Sequence, residues 1–142
     1  MASIFSQIIR RKVPGELVYE TDREIAFLDI FPTTEGHTLV VPKLEVSSFE
    51  LLPPEDVDSL ARAVQVVARG VTKAMGTPHY NLELNNGAPA GQVVFHVHFH
   101  VVPRYEGQTG KAGPLPPEKM KEIGAKIRAA LQELGFPVPA GS

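Results

Sequence analysis

Residues 96–102 read His96-Val97-His98-Phe99-His100-Val101-Val102, an alternation of imidazoles with apolar side chains. Side chains on a strand point to opposite faces with period two, so His96, His98 and His100 share one face and Val97, Phe99 and Val101 the other. The pattern predicts a strand over 93–102 that ends at Pro103, with a core face and a face that carries chemistry. Strand rise separates neighbouring histidines in the row by roughly 6.6 Å and the outer pair by roughly 13 Å. Three of the five histidines in the chain lie in this row.

Upstream of the row, residues 79–85 alternate as well and predict a strand, joined to the histidine strand by the loop Asn86-Gly87-Ala88-Pro89-Ala90-Gly91. Before it, apolar residues from Val57 to Met75 recur at steps of three and four. Pro54 suits a first helical turn and Gly76 a stop, which predicts a long helix between them. Residues 17–20, 24–30 and 38–41 are short and rich in Val, Ile, Leu and Phe, with turn residues between them, and read as an antiparallel meander. Ile4, Phe5, Ile8 and Ile9 follow helical spacing until Pro14-Gly15. Downstream, residues 106–117 form a Gly/Pro-rich connector, residues 118–135 a second amphipathic helix, and residues 136–142 a tail expected to be poorly ordered. The expected class is α+β: one domain over 1–142, with a roughly five-stranded antiparallel sheet over 17–105, one long central helix, a short N-terminal helix over 1–12 and a C-terminal helix.

Composition narrows the functional classes. The chain has 142 residues, 43% hydrophobic and 21% charged, within the usual proportions of a globular domain and long enough to bury a core. Its apolar runs are too short to span a bilayer. Fourteen basic and sixteen acidic residues leave a net charge of -2, and no basic run is long enough to track a nucleic-acid backbone, so neither nucleic acid nor membrane is expected as a partner. With no cysteine, disulfides, thiol catalysis and thiolate metal sites are excluded, and a cytoplasmic location is the default expectation. The apolar residues of 1–12 precede the basic ones, the reverse of a secretory signal.

Three readings of the histidine row stand side by side. Any one His on a strand is ordinarily a solvated or hydrogen-bonded side chain, although clustered imidazoles raise each other's cost of protonation. A His-x-His pair can place two nitrogens on a zinc ion, with His37, His79 or an acidic residue as a further ligand. Alternatively, the middle imidazole is a nucleophile toward phosphorus near pH 7, with its neighbours handling phosphate oxygens and the proton of the leaving group. The preceding loop suits this third chemistry, because Gly87 and Gly91 let backbone amides approach anionic oxygens and Asn85 and Gln92 offer neutral donors.

The block 91–102, Gly91-Gln92-Val93-Val94-Phe95-His96-Val97-His98-Phe99-His100-Val101-Val102, closely resembles the signature of the histidine triad (HIT) superfamily. Residues 26–32, residues 36–43 and residues 85–92 resemble its nucleoside-pocket stretch, its next strand and its phosphate loop, in family order. The resemblance implies a HIT-like fold and a nucleotide hydrolase or transferase. Such an enzyme acts at the α-phosphate of nucleoside phosphoramidates or dinucleoside polyphosphates through a nucleotidyl-histidine intermediate and releases a nucleoside monophosphate. It gives His98 the role of nucleophile, with His96, His100 and His37 as its catalytic companions. It gives Asn85, Gly91 and Gln92 to the phosphate beside His98 and His100. Asp29 goes to the ribose, and Ile4, Phe5, Ile8, Phe27 and Ile30 to an apolar slot around the base. It further implies a homodimer through the long helix and the 80–85 strand. The competing functional class is a non-catalytic nucleotide-binding module that acts through protein partners.

Departures from the family pattern sharpen these expectations. Many relatives bind a structural zinc through a Cys-x-x-Cys and a later His; the matching positions here are Ser3, Ser6 and Glu45, so no metal and no cofactor are expected. Val93 stands where a Ser or Thr usually helps the leaving group. His100 stands where sugar-nucleotide transferases usually carry Gln, which favours hydrolysis.

Overall fold

A computed structural model describes residues 2–108 and 112–140; parts of the expected connector (109–111) and tail (141–142), and Met1, lie outside them. Helix α1 (Ile4–Ile9) is capped by Ser3, whose side chain accepts from Ser6 N. Strands β1 (Leu17–Glu20), β2 (Glu24–Leu28) and β3 (Thr38–Pro42) follow as the expected meander. Helix α2 (Pro54–Met75) begins on the proline and ends with Gly76 in the left-handed region at φ 69°. Strands β4 (Tyr80–Leu84) and β5 (Phe99–Pro103) and helix α3 (Pro117–Glu133) complete the molecule. The five strands form one antiparallel sheet in the order β1-β2-β3-β5-β4.

Every residue of β2 and β3 is buried, because the sheet is covered on both sides and its alternating side chains feed two separate clusters. Ala26, Leu28, Val40, Val97 and Val101 pack with Leu60, Val64, Val67 and Val71 of α2 and with Ile123, Ile127 and Leu131 of α3. Ile25, Phe27, Leu39 and Val41 point the other way, onto Phe5 and Ile8 of α1. The helical layer makes the larger core, and the short α1 covers only part of the second face. A hollow remains beside it.

Three expectations need correction. The histidine strand does not run over 93–102: it enters the ladder only at Phe99, opposite Val40. Two steps further along β3 stands Pro42, which has no N–H to donate, so pairing cannot continue. The upstream chain turns away, with Val97 N donating to Val46 O. The tail is also better anchored than expected. Phe136 N donates to Leu131 O, its ring meets Tyr19 edge-on at 6.4 Å, and the Arg69 guanidinium lies 5.6 Å above it. Strand β2 stops at Leu28, short of Ile30, because the Asp29 carboxylate accepts from Phe31 N at 2.9 Å and bends the chain.

Candidate active site

The hollow beside α1 has a volume of about 520 Å³, within the range of small-molecule sites. Ile4, Phe5 and Ile8 of α1 and Phe27 of β2 form its apolar walls, Asp29 and Ile30 its far rim, and Asn85, Gly91, His98 and His100 its polar end. Val13, Pro14, Gly15, Phe31, Val93 and Val94 also line it. Phe31, Val93 and Val94 fall in the stretches that resemble the family's, whereas Val13, Pro14 and Gly15 carried no signal of their own, since nothing in their spacing separates a pocket wall from ordinary loop. Gln92, His96 and His37 stand behind the wall, buried. A second hollow of about 510 Å³ lies past the turn at 13–15, walled by Arg11, Lys12 and Pro139. Arg11 is there committed to Glu20 and Ile9 O, so the convergent polar groups of a site are in the first.

The histidines keep their common face although only His100 lies in the ladder. Phe5 meets the His98 ring edge-on at 4.9 Å and the His96 ring at 5.8 Å, and the His98 and His100 rings are 4.9 Å apart. Their hydrogen-bond partners assign every tautomer. His96 Nε2 is 2.7 Å from Pro42 O, a pure acceptor, so this nitrogen carries the proton and Nδ1, 2.6 Å from Ser3 Oγ, accepts. His98 Nδ1 is 2.7 Å from His96 O and must donate, which leaves the lone pair on Nε2.

His37 Nδ1 accepts from Thr33 N at 3.0 Å, so its Nε2 donates to His100 Nδ1 at 2.9 Å. The remaining proton of His100 is therefore on Nε2. One imidazole in the wall offers a lone pair and its neighbour a donor.

Electrostatics hold all four rings neutral. Burial lowers the pKa of His96, His98 and His100 below the ordinary 6.5, and lowers His37 to about 4 against the opposing pull of Asp29. Asp29, His37 and His100 come close enough to surround a cation. The arrangement is instead a proton chain: His37 Nε2 bears a hydrogen, directed at His100 Nδ1 and lying 3.5 Å from Asp29 Oδ2, and has no lone pair to give a metal.

The loop before the triad is built for close approach. Gly87 and Gly91 take φ 89° and 97°, conformations that L side chains disfavour, around a turn at Ala88–Ala90. Gln92 holds this turn from behind: its Oε1 accepts from Gly87 N at 2.7 Å, and its Nε2 donates to Ser47 O and Val94 O. Its amide is thus spent on shaping the loop, and the polar end of the hollow is faced by Asn85, Gly91, His98 and His100.

The HIT domain family matches residues 10–107. The chain belongs to the HIT family. An uncharacterized HIT-like protein of Methanocaldococcus jannaschii is 45% identical over 104 residues, covering 73% of this chain and 80% of that one. Adenosine 5'-monophosphoramidase hnt1 of Schizosaccharomyces pombe is 37% identical over 137 residues, covering 93% and 100%. Among solved structures, a hypothetical histidine triad nucleotide-binding protein of Sulfolobus tokodaii superposes with a TM-score of 0.88 at 31% identity, covering 92% of this chain and 93% of that one. The five-stranded antiparallel sheet with three helices is thus the HIT fold. Among the described residues, no helix of this HIT protein is long and apolar enough to cross a membrane.

Proposed function

We propose that this HIT protein is a nucleotide hydrolase in which His98 is the nucleophile. The observation that carries the reading is the unprotonated Nε2 of His98 in the wall of a nucleoside-sized hollow, beside the protonated Nε2 of His100. The name of the fission-yeast relative, an adenosine 5'-monophosphoramidase, supports a nucleoside phosphoramidate as substrate; dinucleoside polyphosphates offer the same α-phosphorus.

In the first step the His98 Nε2 lone pair forms a bond to the α-phosphorus as the bond to the leaving amine or phosphate breaks, and the leaving group takes a proton from water, the neutral His100 keeping its Nε2–H. In the second, water attacks the nucleotidyl-His98 phosphorus, the N–P bond breaks, and a nucleoside monophosphate departs. The amides near Gly91, the Asn85 side chain and the His100 donor face the non-bridging oxygens. Asp29 stands at the ribose end and Ile4, Phe5, Ile8, Phe27 and Ile30 around the base. Val93, 85% exposed, gives the leaving group an apolar neighbour without a hydroxyl.

The test is AMP release from adenosine 5'-phosphoramidate and from diadenosine polyphosphates, with mass spectrometry of the protein for a nucleotidyl adduct. His98→Ala is expected to lower the rate by roughly four orders of magnitude or more and to abolish the adduct. Near-normal turnover by this variant sinks the proposal, and stoichiometric AMP binding without turnover by the wild type supports the binding-module class instead. A homodimer belongs to the same proposal: β4 is an edge strand whose Tyr80 and Leu82 are 42% and 48% exposed, and pairing it with a second copy would cover both. Sedimentation at twice the monomer mass is the expected outcome, lost in Leu82→Lys.

A further inference from the structure

Ser3, Ser6 and Glu45, separated by more than forty positions of chain from first to last, meet on the far side of His96. Glu45 Oε1 accepts from Ser3 N at 2.9 Å and from Ser6 Oγ at 2.6 Å. Ser3 Oγ accepts from Ser6 N at 3.0 Å and donates to His96 Nδ1 at 2.6 Å. Glu45 Oε1 lies 3.9 Å from the same ring nitrogen. Ser6 is 4% and His96 0% exposed, so their polar atoms need these partners. The carboxylate is correspondingly comfortable: the Ser6 hydroxyl and the Ser3 amide hold Glu45 down to about 2.

These positions match the zinc ligands of many relatives, but two hydroxyls and a carboxylate already bonded to one another are not the thiolate and imidazole donors of a structural zinc site. Their chemistry points to a different task. The chain of bonds continues from Glu45 and Ser6 through Ser3 to His96 Nδ1, and from the His96 carbonyl to His98 Nδ1. Each link fixes a proton: Ser3 O–H keeps Nδ1 of His96 an acceptor, Pro42 O keeps its Nε2 protonated, and the His96 carbonyl keeps the reactive lone pair of His98 on Nε2. The same link caps α1, the helix whose Phe5 packs on both rings.

We propose that Ser3, Ser6 and Glu45 form a metal-free hydrogen-bonded clasp that orients His96 and, through its carbonyl, aims His98 at the substrate, with Glu45 and Ser3 as positioning residues. This rests on the reading of His98 as nucleophile. Misplacement of a reacting group by about 1 Å costs up to roughly 100-fold in rate, which sets the size of the expected effect.

The experiment compares the full-length wild type with Ser3→Ala, Glu45→Ala and Glu45→Gln, measuring kcat and KM on adenosine 5'-phosphoramidate, AMP affinity by calorimetry, and histidine ring ¹⁵N shifts. Ser3→Ala and Glu45→Ala are expected to lower kcat by about tenfold to 100-fold with AMP affinity within about threefold, and to move the ring signals of His96 and His98. Glu45→Gln keeps an acceptor oxygen for both donors and is expected to restore most of kcat. Three results overturn the clasp: kcat within twofold of wild type in both alanine variants, unmoved His98 ring signals, or AMP affinity falling as far as kcat, which would mark a purely structural dock for α1. If the wild type itself releases no AMP, the hydrolase reading falls. The ring signals then decide the clasp on their own.

Discussion

His98, His100 and His37 are one residue type in two neutral tautomers, His98 protonated on Nδ1 and the other two on Nε2, and the difference comes entirely from what each Nδ1 faces. A carbonyl opposite Nδ1 makes His98 a lone-pair donor at Nε2, whereas an N–H opposite Nδ1 of His37 passes a proton along to His100. Burial lowers the pKa of His98 below 6.5, so the neutral nucleophile persists into mildly acidic solution. Protonation removes the lone pair, so kcat/KM is expected to fall as pH falls, with its acid limb below pH 6.5; a pH–rate profile whose acid limb lies at or above that value would contradict the assignment. His37→Ala removes the donor that holds His100 and should lower kcat by about tenfold, less than His98→Ala, in the same AMP-release assay. None of these states is legible in the sequence, where His37 is a lone polar residue and Asp29 a turn former.

Helix α2 emerges where its periodicity places it, because Pro54 begins it and Gly76 ends it by local backbone preference. Strand β5 does not, because the start of its ladder depends on the partner strand, where Pro42 closes it. Gly70 shows the same division. A glycine inside a helix costs about 1 kcal/mol relative to alanine, and nothing in the sequence near Gly70 accounts for it. A Cβ there would stand 2.6 Å from Leu131 Cδ2 and 2.7 Å from its Cγ, where α3 crosses α2. Gly70→Ala should therefore destabilise the protein by about 1–3 kcal/mol through overpacking, less the helix-propensity gain. In a Leu131→Ala background the same change should become neutral or stabilising. Urea denaturation of the two single variants and the double variant checks the cycle.

Across the whole molecule, the buried histidines tie folding to pH. His37, His96, His98 and His100 all have folded pKa values below 6.5, so between those values and 6.5 the unfolded chain binds more protons. Their contribution is fully present above pH 6.5 and is lost as pH falls toward about 4, the His37 value; His37 alone accounts for up to about 3 kcal/mol. A second loss begins below 4.5, where two carboxyls held low in the fold take up protons. Glu20 is held, against burial, by Arg11 and Lys43, and Glu45 by Ser6 and Ser3. The urea midpoint is expected to be flat above pH 6.5 and to decline between pH 6.5 and 4. A midpoint constant over that interval would mean that the rings are not buried neutral.

The class of fold, the order of its elements and the facing of the histidine row follow from local chemistry: period-two and period-3.6 patterns, and prolines and glycines with their own backbone limits. These act between near neighbours and need no knowledge of the path of the chain. The short reach of β5, the anchoring of Phe136, the use of Gln92 to brace the loop, and the bond between Ser3 and His96, 93 positions apart, belong to the tertiary structure. Each depends on which group the folded chain brings opposite a given donor or acceptor. A buried polar atom must take whichever partner stands within about 3 Å of it, and only the packed sheet and helices decide which one that is.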